Sequence, residues 1–511
     1  MTTMDQAGAT LEFPLADYPA VGRFALDFVE GSSRATRFCP PVDWDEIAPR
    51  PPSRSRASVA AGLRRSNRAW GNDAEILIGA WESGRAVAVI AGQQVGFGGG
   101  PLYTLAKIAS LVSIRRRLQR RGIDAVPFFW LATEDHDWDE VTTLLLQRDD
   151  VLTRIRATER PNGRFPVGRL PVPPSLREAI AAWCGRLPEW AREGTTFGDA
   201  FAALLVEAIG SGEVVLVDSL LPELRAAGAD LFASIAASLG EIDATLETRS
   251  AELRAAGYEP QVARSPDGGW PLLYAISSSG ERETVAADDL AARIRQQPET
   301  ISTGVLARPL LQDLIFDPAV FVGGPSEVAY YAQVAPLHAR FGVTAPAVAL
   351  RGHALVAPAR RLRALDRYGF DLLEMFGPLD RALEAREEPA LERVEKVVRD
   401  AEAALETAAA RINEIALGAD RGLDRSMRRS RRRLAYHLAR THDRARRAVA
   451  RRDAERWTAL SRLQQIVAPD GVAQDRVAAW LGWYTMWGRA LFDRLVDEVE
   501  PDEPVVRVIG F

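Results

Sequence analysis

Lysine is almost missing from this chain of 511 residues: of 64 basic residues, only Lys107 and Lys396 are lysines. The arginine bias reflects genome composition, yet it singles out Lys107. Where arginine is the default, a retained lysine points to a need for a compact ammonium. Lys396 falls in a heptad stretch, where a lysine persists by chance. Cysteine is scarce too. Cys39 and Cys184 exclude a disulfide framework, and neither sits in a C-x-x-C pair, so a reduced, cytoplasmic setting is expected. No apolar run approaches the ~20 residues that span a bilayer. The start of the sequence lacks a basic segment followed by an apolar one, so no secretory signal and no membrane partner are expected. A net charge of −5 speaks against nucleic-acid binding by the protein as a whole. What remains is a large apolar fraction, 47% of the residues, enough for a sizeable core and more than one domain.

The core announces itself as short apolar runs that stop at polar or glycine-rich ends. Residues 86–91 stop at Gly92-Gln93-Gln94-Val95-Gly96-Phe97-Gly98-Gly99-Gly100, and Pro101 opens a helix expected over 101–122. Residues 126–132 end in Thr133-Glu134-Asp135-His136-Asp137, and 213–217 end at Asp218. Residues 320–322 end at Gly323-Gly324-Pro325, where Ser326-Glu327 begins a helix, and 347–350 end at Arg351. This β-α-β spacing predicts an α/β fold with a parallel sheet, the first two strands being neighbours, and ligands bound at its carboxyl edge. Residues 151–200 and 258–300 read as insertions, and 224–256 as one long amphipathic helical stretch.

From Pro389 the pattern changes. Leu391, Val394, Val398, Ala401, Leu405, Ala408, Ile412 and Ile415 recur at alternating steps of three and four, an a/d seam. Gly418 and Gly422 bracket a turn, and a second helix is expected over 423–465. The expected division is a core over 1–377, an antiparallel coiled-coil hairpin over 378–466, and a helical segment over 467–511 that packs back on the core through Trp480, Trp483 and Trp487. Residues 421–456 are strongly basic. They read either as an anion-binding arm or, preferentially, as a solvated helix facing the acids Glu392, Glu395, Asp400, Glu402 and Glu406.

Several segments carry chemistry. Gly96, Gly99 and Gly100 allow a backbone cradle for an anion at a helix N-terminus, or simply a tight turn. Gln93 and Gln94 are costly to bury at a strand end unless something polar meets them. Thr104 and Lys107 share a helical face beside Tyr103, and Lys107 suits a phosphate or a carboxylate. Residues 133–140 crowd five acids around one histidine. Capping explains one or two of them, through Thr133 or Asp135. Mg²⁺, which prefers carboxylate oxygens, could be held by Glu134, Asp135 or Asp137. Zinc is less supported, because no second histidine or cysteine stands at ligand spacing. His136 is the expected general base and, in a helix, shares a face with Glu140. Arg308, Gln312 and Asp313 are expected substrate contacts. Gly323, Gly324 and Glu327 form a second cradle in which Glu327 holds an amine or merely caps the helix. His338, His353, His437 and His442 read as structural.

Taken together these segments resemble the BshC family, the cysteine-adding enzymes of bacillithiol synthesis. The likeness runs through Gly92-Gln93-Gln94-x-Gly96-Phe97-x-Gly99-Gly100-Pro101-Leu102-Tyr103-Thr104-x-x-Lys107, then Val126-Pro127-x-Phe129-Trp130-x-Ala132-Thr133-Glu134-Asp135-His136-Asp137. It continues in Arg308-Pro309-x-x-Gln312-Asp313 and Val322-Gly323-Gly324-Pro325-x-Glu327-x-Ala329-Tyr330. Phe24-x-x-Asp27-Phe28 and Asp470-Gly471-x-x-Gln474-Asp475-Arg476 extend it over nearly the whole chain. Ser326 and Tyr331 depart from the family's glycine and tryptophan.

The resemblance implies a Rossmann-like core with connecting-peptide insertions, distantly similar to class I aminoacyl-tRNA synthetases, and a coiled coil that makes a homodimer. It implies a ligase that joins L-cysteine to glucosaminyl-malate through an amide, the last step of the pathway. Activating a carboxylate in water calls for ATP or another nucleotide, and Mg²⁺ is a natural companion. No HIGH or KMSKS signature is intact. Arg308 would then grip the malate carboxylates. Two other classes remain in view: an RNA-linked aminoacylating or tRNA-modifying enzyme, and a non-enzymatic dimeric coiled-coil scaffold.

Overall fold

Runs of β-branched and aromatic residues, apolar on both faces, can only be strands buried between layers. The computed structural model, which describes residues 10–511 except 53, 149–150, 266–267, 387, 420–423 and 452–453, shows them as such. Five parallel strands run in the order Ala347–Leu350, Pro318–Gly323, Val87–Gln93, Ala125–Leu131, Val215–Asp218. Val87 pairs with Ala125 and Gln93 with Leu131, so the first two expected strands are indeed neighbours. Every residue of Ala125–Leu131 is buried. Each large side chain there contributes about 1.5–3 kcal/mol, and a charge at Phe129 would break the layer.

Chain order explains where the site lies. From Val87–Gln93 the chain steps outward to Ala125–Leu131 and Val215–Asp218. It then returns to the other flank of Val87–Gln93 with Pro318–Gly323. The sheet's order therefore reverses between Gln93 and Gly323, and crevices open at such points. Helix Tyr103–Gln119 leaves this edge and is buried nearly all round, Lys107 included.

Elsewhere the expectations need adjustment. The stretch 224–256 is three helices, Pro222–Ala227, Ala229–Ala237 and Leu239–Ala255. Gly228 marks the first break, where a Cβ would stand 2.4 Å from the Leu311 side chain. Residues 151–200 are less irregular than expected. Val151–Arg156 pairs antiparallel with Thr143–Arg148, and helix Pro174–Cys184 follows. Residues 258–300 supply Leu273–Ile276 and Arg282–Glu283, which join Ile301–Thr303 in a small antiparallel sheet.

Contacts divide the described chain into two units, one reaching Val356 and resuming over Ala473–Phe511, the other Ala357–Val472. In the second, helices Glu388–Ala419 and Asp424–Ala450 pack together, followed by Ala454–Val467. Gly418, expected to open the turn, lies within helix Glu388–Ala419, and Gly422 lies outside the described residues. Arg431 pairs with Glu406 at 2.7 Å, Arg446 with Glu384 and Arg451 with Asp380 at 3.1 Å, so the two stretches run antiparallel. Of the acids expected to face the basic helix, Glu406 is paired with it; Glu384 and Asp380, from helix Leu379–Arg386, are partners the sequence reading did not name. The expected seam is only half covered: Ile412 and Ile415 are 55% and 76% exposed.

Candidate active site

At the reversal point lies a cavity of about 480 Å³, lined from segments far apart in sequence. It gathers Gln93, Gln94, Tyr103, Lys107, Glu134, Asp135, His136, Arg308, Gly324 and Glu327. Gly96, Gly99, Gly100, Thr104, Thr133, Asp137, Gln312, Asp313, Gly323 and Tyr330 do not line it.

Lys107 sits at the floor, 3% exposed, with all three donor directions used. Its Nζ donates to Gly92 O at 2.7 Å and Gln93 Oε1 at 2.9 Å, and pairs with Glu327 Oε2 at 2.5 Å. Burial lowers its pKa, and Glu327 offsets part of that shift. Gln93 Nε2 donates in turn to the Tyr103 hydroxyl at 3.1 Å. The glutamine at the strand end is therefore met by polar partners. Glu327 also accepts from the Gly324 amide at 2.7 Å, closing the first turn of helix Pro325–Phe341.

The glycine loop does something the sequence did not announce. Gly98, Gly99 and Gly100 have φ of 68°, 88° and 72°, but what they admit is Trp480. A Cβ on Gly99 would stand 2.1 Å from the indole, and Trp480 Nε1 donates to Gly99 O at 2.6 Å. The expected anion cradle is thus filled by the protein's own side chain. Thr104 is buried in the helix below it.

The acids after Leu131 separate by role. Thr133 Oγ1 bonds Asp218 and lies 3.0 Å from Ser219 Oγ, behind the cavity. Glu134 is buried. Its Oε2 meets Arg225 Nη2 at 2.6 Å, Ser302 Oγ at 2.9 Å and Thr303 N at 2.7 Å, while Oε1 takes Thr303 Oγ1 at 2.8 Å. Burial opposes its charge, but Arg225 and then Arg282 hold its pKa below the usual value. Burial likewise opposes the charge on Asp135, yet hydrogen bonds from His136 and Gln94 hold it at about 2.

Asp137, rather than Thr133 or Asp135, caps helix Trp138–Thr142, accepting from Glu140 N at 3.0 Å. His136 precedes that helix, so it shares no helical face with Glu140. Its Nε2 lies 2.9 Å from Arg164 Nη2 and its Nδ1 3.1 Å from Arg282 Nη1. Among the described residues no group of three metal-ligating side chains converges. Glu134 is saturated and Asp137 is turned to its cap, so the three acids do not fit a shared Mg²⁺.

Arg308 faces the cavity, and among the described residues it forms no salt bridge, although Glu327 and Asp313 lie close enough to favour its charge. It donates to Gln312 Oε1 at 3.2 Å and to the Tyr330 hydroxyl. Gln312, Asp313 and Tyr330 therefore stand behind it. Gln312 Nε2 reaches Asp313 Oδ1 and the Tyr331 hydroxyl at 3.0 Å, and Asp313 pairs with His338 at 2.8 Å. Such a buried network fixes a guanidinium in one orientation. Sequence reasoning gave no lining role to Glu140, Arg282, Arg351 and Arg476, although the acid cluster at 133–140, the strand end at Arg351 and the motif ending at Arg476 carried signals; Arg282 had none. Arg351 is paired with Asp475 at 2.8 Å.

Comparison with known proteins identifies the family and its two domains. Residues 42–352 match the family model for the bacillithiol biosynthesis BshC N-terminal Rossmann-like domain, and residues 354–510 that for the BshC C-terminal coiled-coil domain. Proteins named "Putative cysteine ligase BshC" are similar over most of their length. The one from Koribacter versatilis is 28% identical over 97% of this chain and 99% of its own. That from Solibacter usitatus is 28% identical over 87% of each. One from Thermus thermophilus is 30% identical over 79% of this chain and 84% of its own. With its Rossmann-like sheet, its coiled coil and a cavity at the sheet's carboxyl edge, the chain belongs to the BshC family of bacillithiol biosynthesis.

Proposed function

We propose that this protein is a ligase that joins the carboxyl group of L-cysteine to the amine of glucosaminyl-malate, the amide-forming last step of bacillithiol synthesis. The observation that carries the reading is the polarity of one cavity. Arg308 presents a guanidinium that forms no salt bridge among the described residues, with Arg476 and the Asp475-paired Arg351 nearby, while Asp135 and Glu140 make an acidic edge. A substrate with two malate carboxylates and a sugar ammonium has the complementary charges, and arginine grips carboxylates as a fork. Lys107 and Glu327, locked together, shape the floor between the poles.

Condensing a carboxylate with an amine in water is uphill, so the cysteine carboxylate needs activation by ATP or another nucleotide. The arginine wall is where its phosphates would be held. Glu134, Asp135 and Asp137 do not converge on a common point where they could hold a metal for this step. The active species is a homodimer whose coiled coils cover the exposed Ile412 and Ile415. No helix among the described residues is long and apolar enough to cross a membrane, and the reaction belongs in the cytoplasm. The RNA-linked and scaffold alternatives are not favoured by the relatives, and Arg431, Arg446 and Arg451 of the basic stretch pair with acids.

The test is direct. Purified full-length protein with L-cysteine, glucosaminyl-malate and ATP should release bacillithiol, detected by mass spectrometry of the trapped thiol. No product with any nucleoside triphosphate would overturn the reading.

A further inference from the structure

An amine attacks only when neutral, so the site needs a group that accepts a proton from an ammonium. The sequence favours His136 for this task. Its geometry is poor: each ring nitrogen lies within 3.1 Å of an arginine nitrogen, Nδ1 also lies 3.4 Å from Asp135 Oδ1, and no lone pair is left for the cavity. Asp135 is a weak base, clamped by Gln94 and His136. Glu134 is buried against Arg225. Glu327 is spent on Lys107 and the Gly324 amide.

Glu140 is different. It lines the cavity from the first turn of helix Trp138–Thr142, and the salt bridges found among the described residues give it no cationic partner. The Gln94 amide, whose hydrogen bond goes to Asp135, lies on the same cavity wall and favours the charged form of Glu140.

The geometry points to Glu140 as the general base of the amide-forming reaction, taking one proton from the substrate ammonium. The step is R–NH3⁺ + Glu140–COO⁻ → R–NH2 + Glu140–COOH. One N–H bond breaks, one O–H bond forms, and the lone pair left on nitrogen is the nucleophile. This rests on the ligase reading above.

The surroundings tune the group. Facing Glu140 are Asp135 and Asp137 from its own loop, Tyr103 and Lys107 from helix Tyr103–Gln119, and Gln94 from the strand end, with Arg476 elsewhere on the cavity wall. Glu140 is an exposed residue at the cavity's edge; loss of water on its cavity side, then the like charges of Asp137 and Asp135, raise its pKa to about 7, against smaller opposing effects of Gln94 and Lys107. A base so placed is half ionised near neutrality, where proton transfer works best.

The experiment compares wild type, Glu140→Gln and His136→Asn, with kcat followed from pH 5.5 to 9.5. Wild type should show an acid limb near pH 7 that His136→Asn keeps. Glu140→Gln should lose the limb and about 10²- to 10⁴-fold in kcat, with KM for L-cysteine nearly unchanged. Glu140→Gln within threefold of wild type, or a surviving limb, would overturn the assignment. A substrate-independent arm separates this from failure of the ligase reading. Difference infrared titration of wild type against Glu140→Gln should show one carboxylic acid band that vanishes near pH 7. If that carboxyl titrates near 4, the inference fails whatever the substrate.

Discussion

Lys107 and Glu327 meet through a single oxygen: Glu327 Oε2 takes the ammonium at 2.5 Å and the Gly324 amide at 2.7 Å. One carboxylate therefore ties the floor of the cavity to the start of helix Pro325–Phe341. Three acceptors converge on the one nitrogen of Lys107, which a planar guanidinium cannot replace. Lys107→Met should cost about 3 kcal/mol, because an unpaired charge is left behind. Lys107→Arg should also weaken the fold. In a double-mutant cycle by urea unfolding, Lys107→Met with Glu327→Gln should lose less than the two single costs added. Simple additivity would contradict a direct pair.

Arg308 owes its orientation to Gln312 and Tyr330. Arg308→Lys keeps the charge and loses the fork. It should raise KM for glucosaminyl-malate roughly ten- to a hundredfold, a loss of about 1.5–3 kcal/mol, with little effect on KM for cysteine. Equal effects on both substrates would remove Arg308 from malate recognition.

Acid should unfold this protein partly through Glu134. Arg225 and Arg282 hold its pKa below the usual value despite burial. The folded value lies under the unfolded one, about 4.3, so the stabilisation is complete above that pH and is lost as pH falls through the folded value. Glu134→Gln should be less stable at neutral pH and flatter below about pH 4. Urea midpoints of wild type and variant that fall in parallel from neutrality into acid would refute this.

Gly99→Ala would press a methyl group to 2.1 Å from the Trp480 indole, at a φ of 88° that side chains rarely adopt. Trp480→Ala would empty a fully buried site and cost about 3–5 kcal/mol. Both variants should lower the thermal midpoint and still bind an anion at Arg308. An intact midpoint with lost nucleotide binding would restore the cradle reading of the glycines.

Charge placed on the uncovered seam should separate protomers. Light scattering of Ile412→Asp/Ile415→Asp should give the 56.0 kDa chain mass, and wild type twice that. A monomeric wild type would remove the dimer.

The parallel strands were legible because burial on both faces forces continuous apolar runs, as at 126–132. The convergence of Gln93, His136 and Glu327 followed from strand ends sharing one edge. What approaches a glycine was not legible. The loop at Gly99 reads alike whether phosphate or indole fills it, and Trp480 stands 381 residues away. Nor could five neighbouring acids be sorted. Glu134 became structural through Arg225, 91 residues on, and Glu140 emerged because its neighbours were already engaged.

Trp480, Asp475 and Arg476 all belong to Ala473–Phe511, and Val505–Gly510 pairs with Thr10–Pro14. A ribosome must therefore make the whole helical excursion before the cavity wall and the plug of the glycine loop exist. The cavity is thus among the last features of the fold to be completed during synthesis.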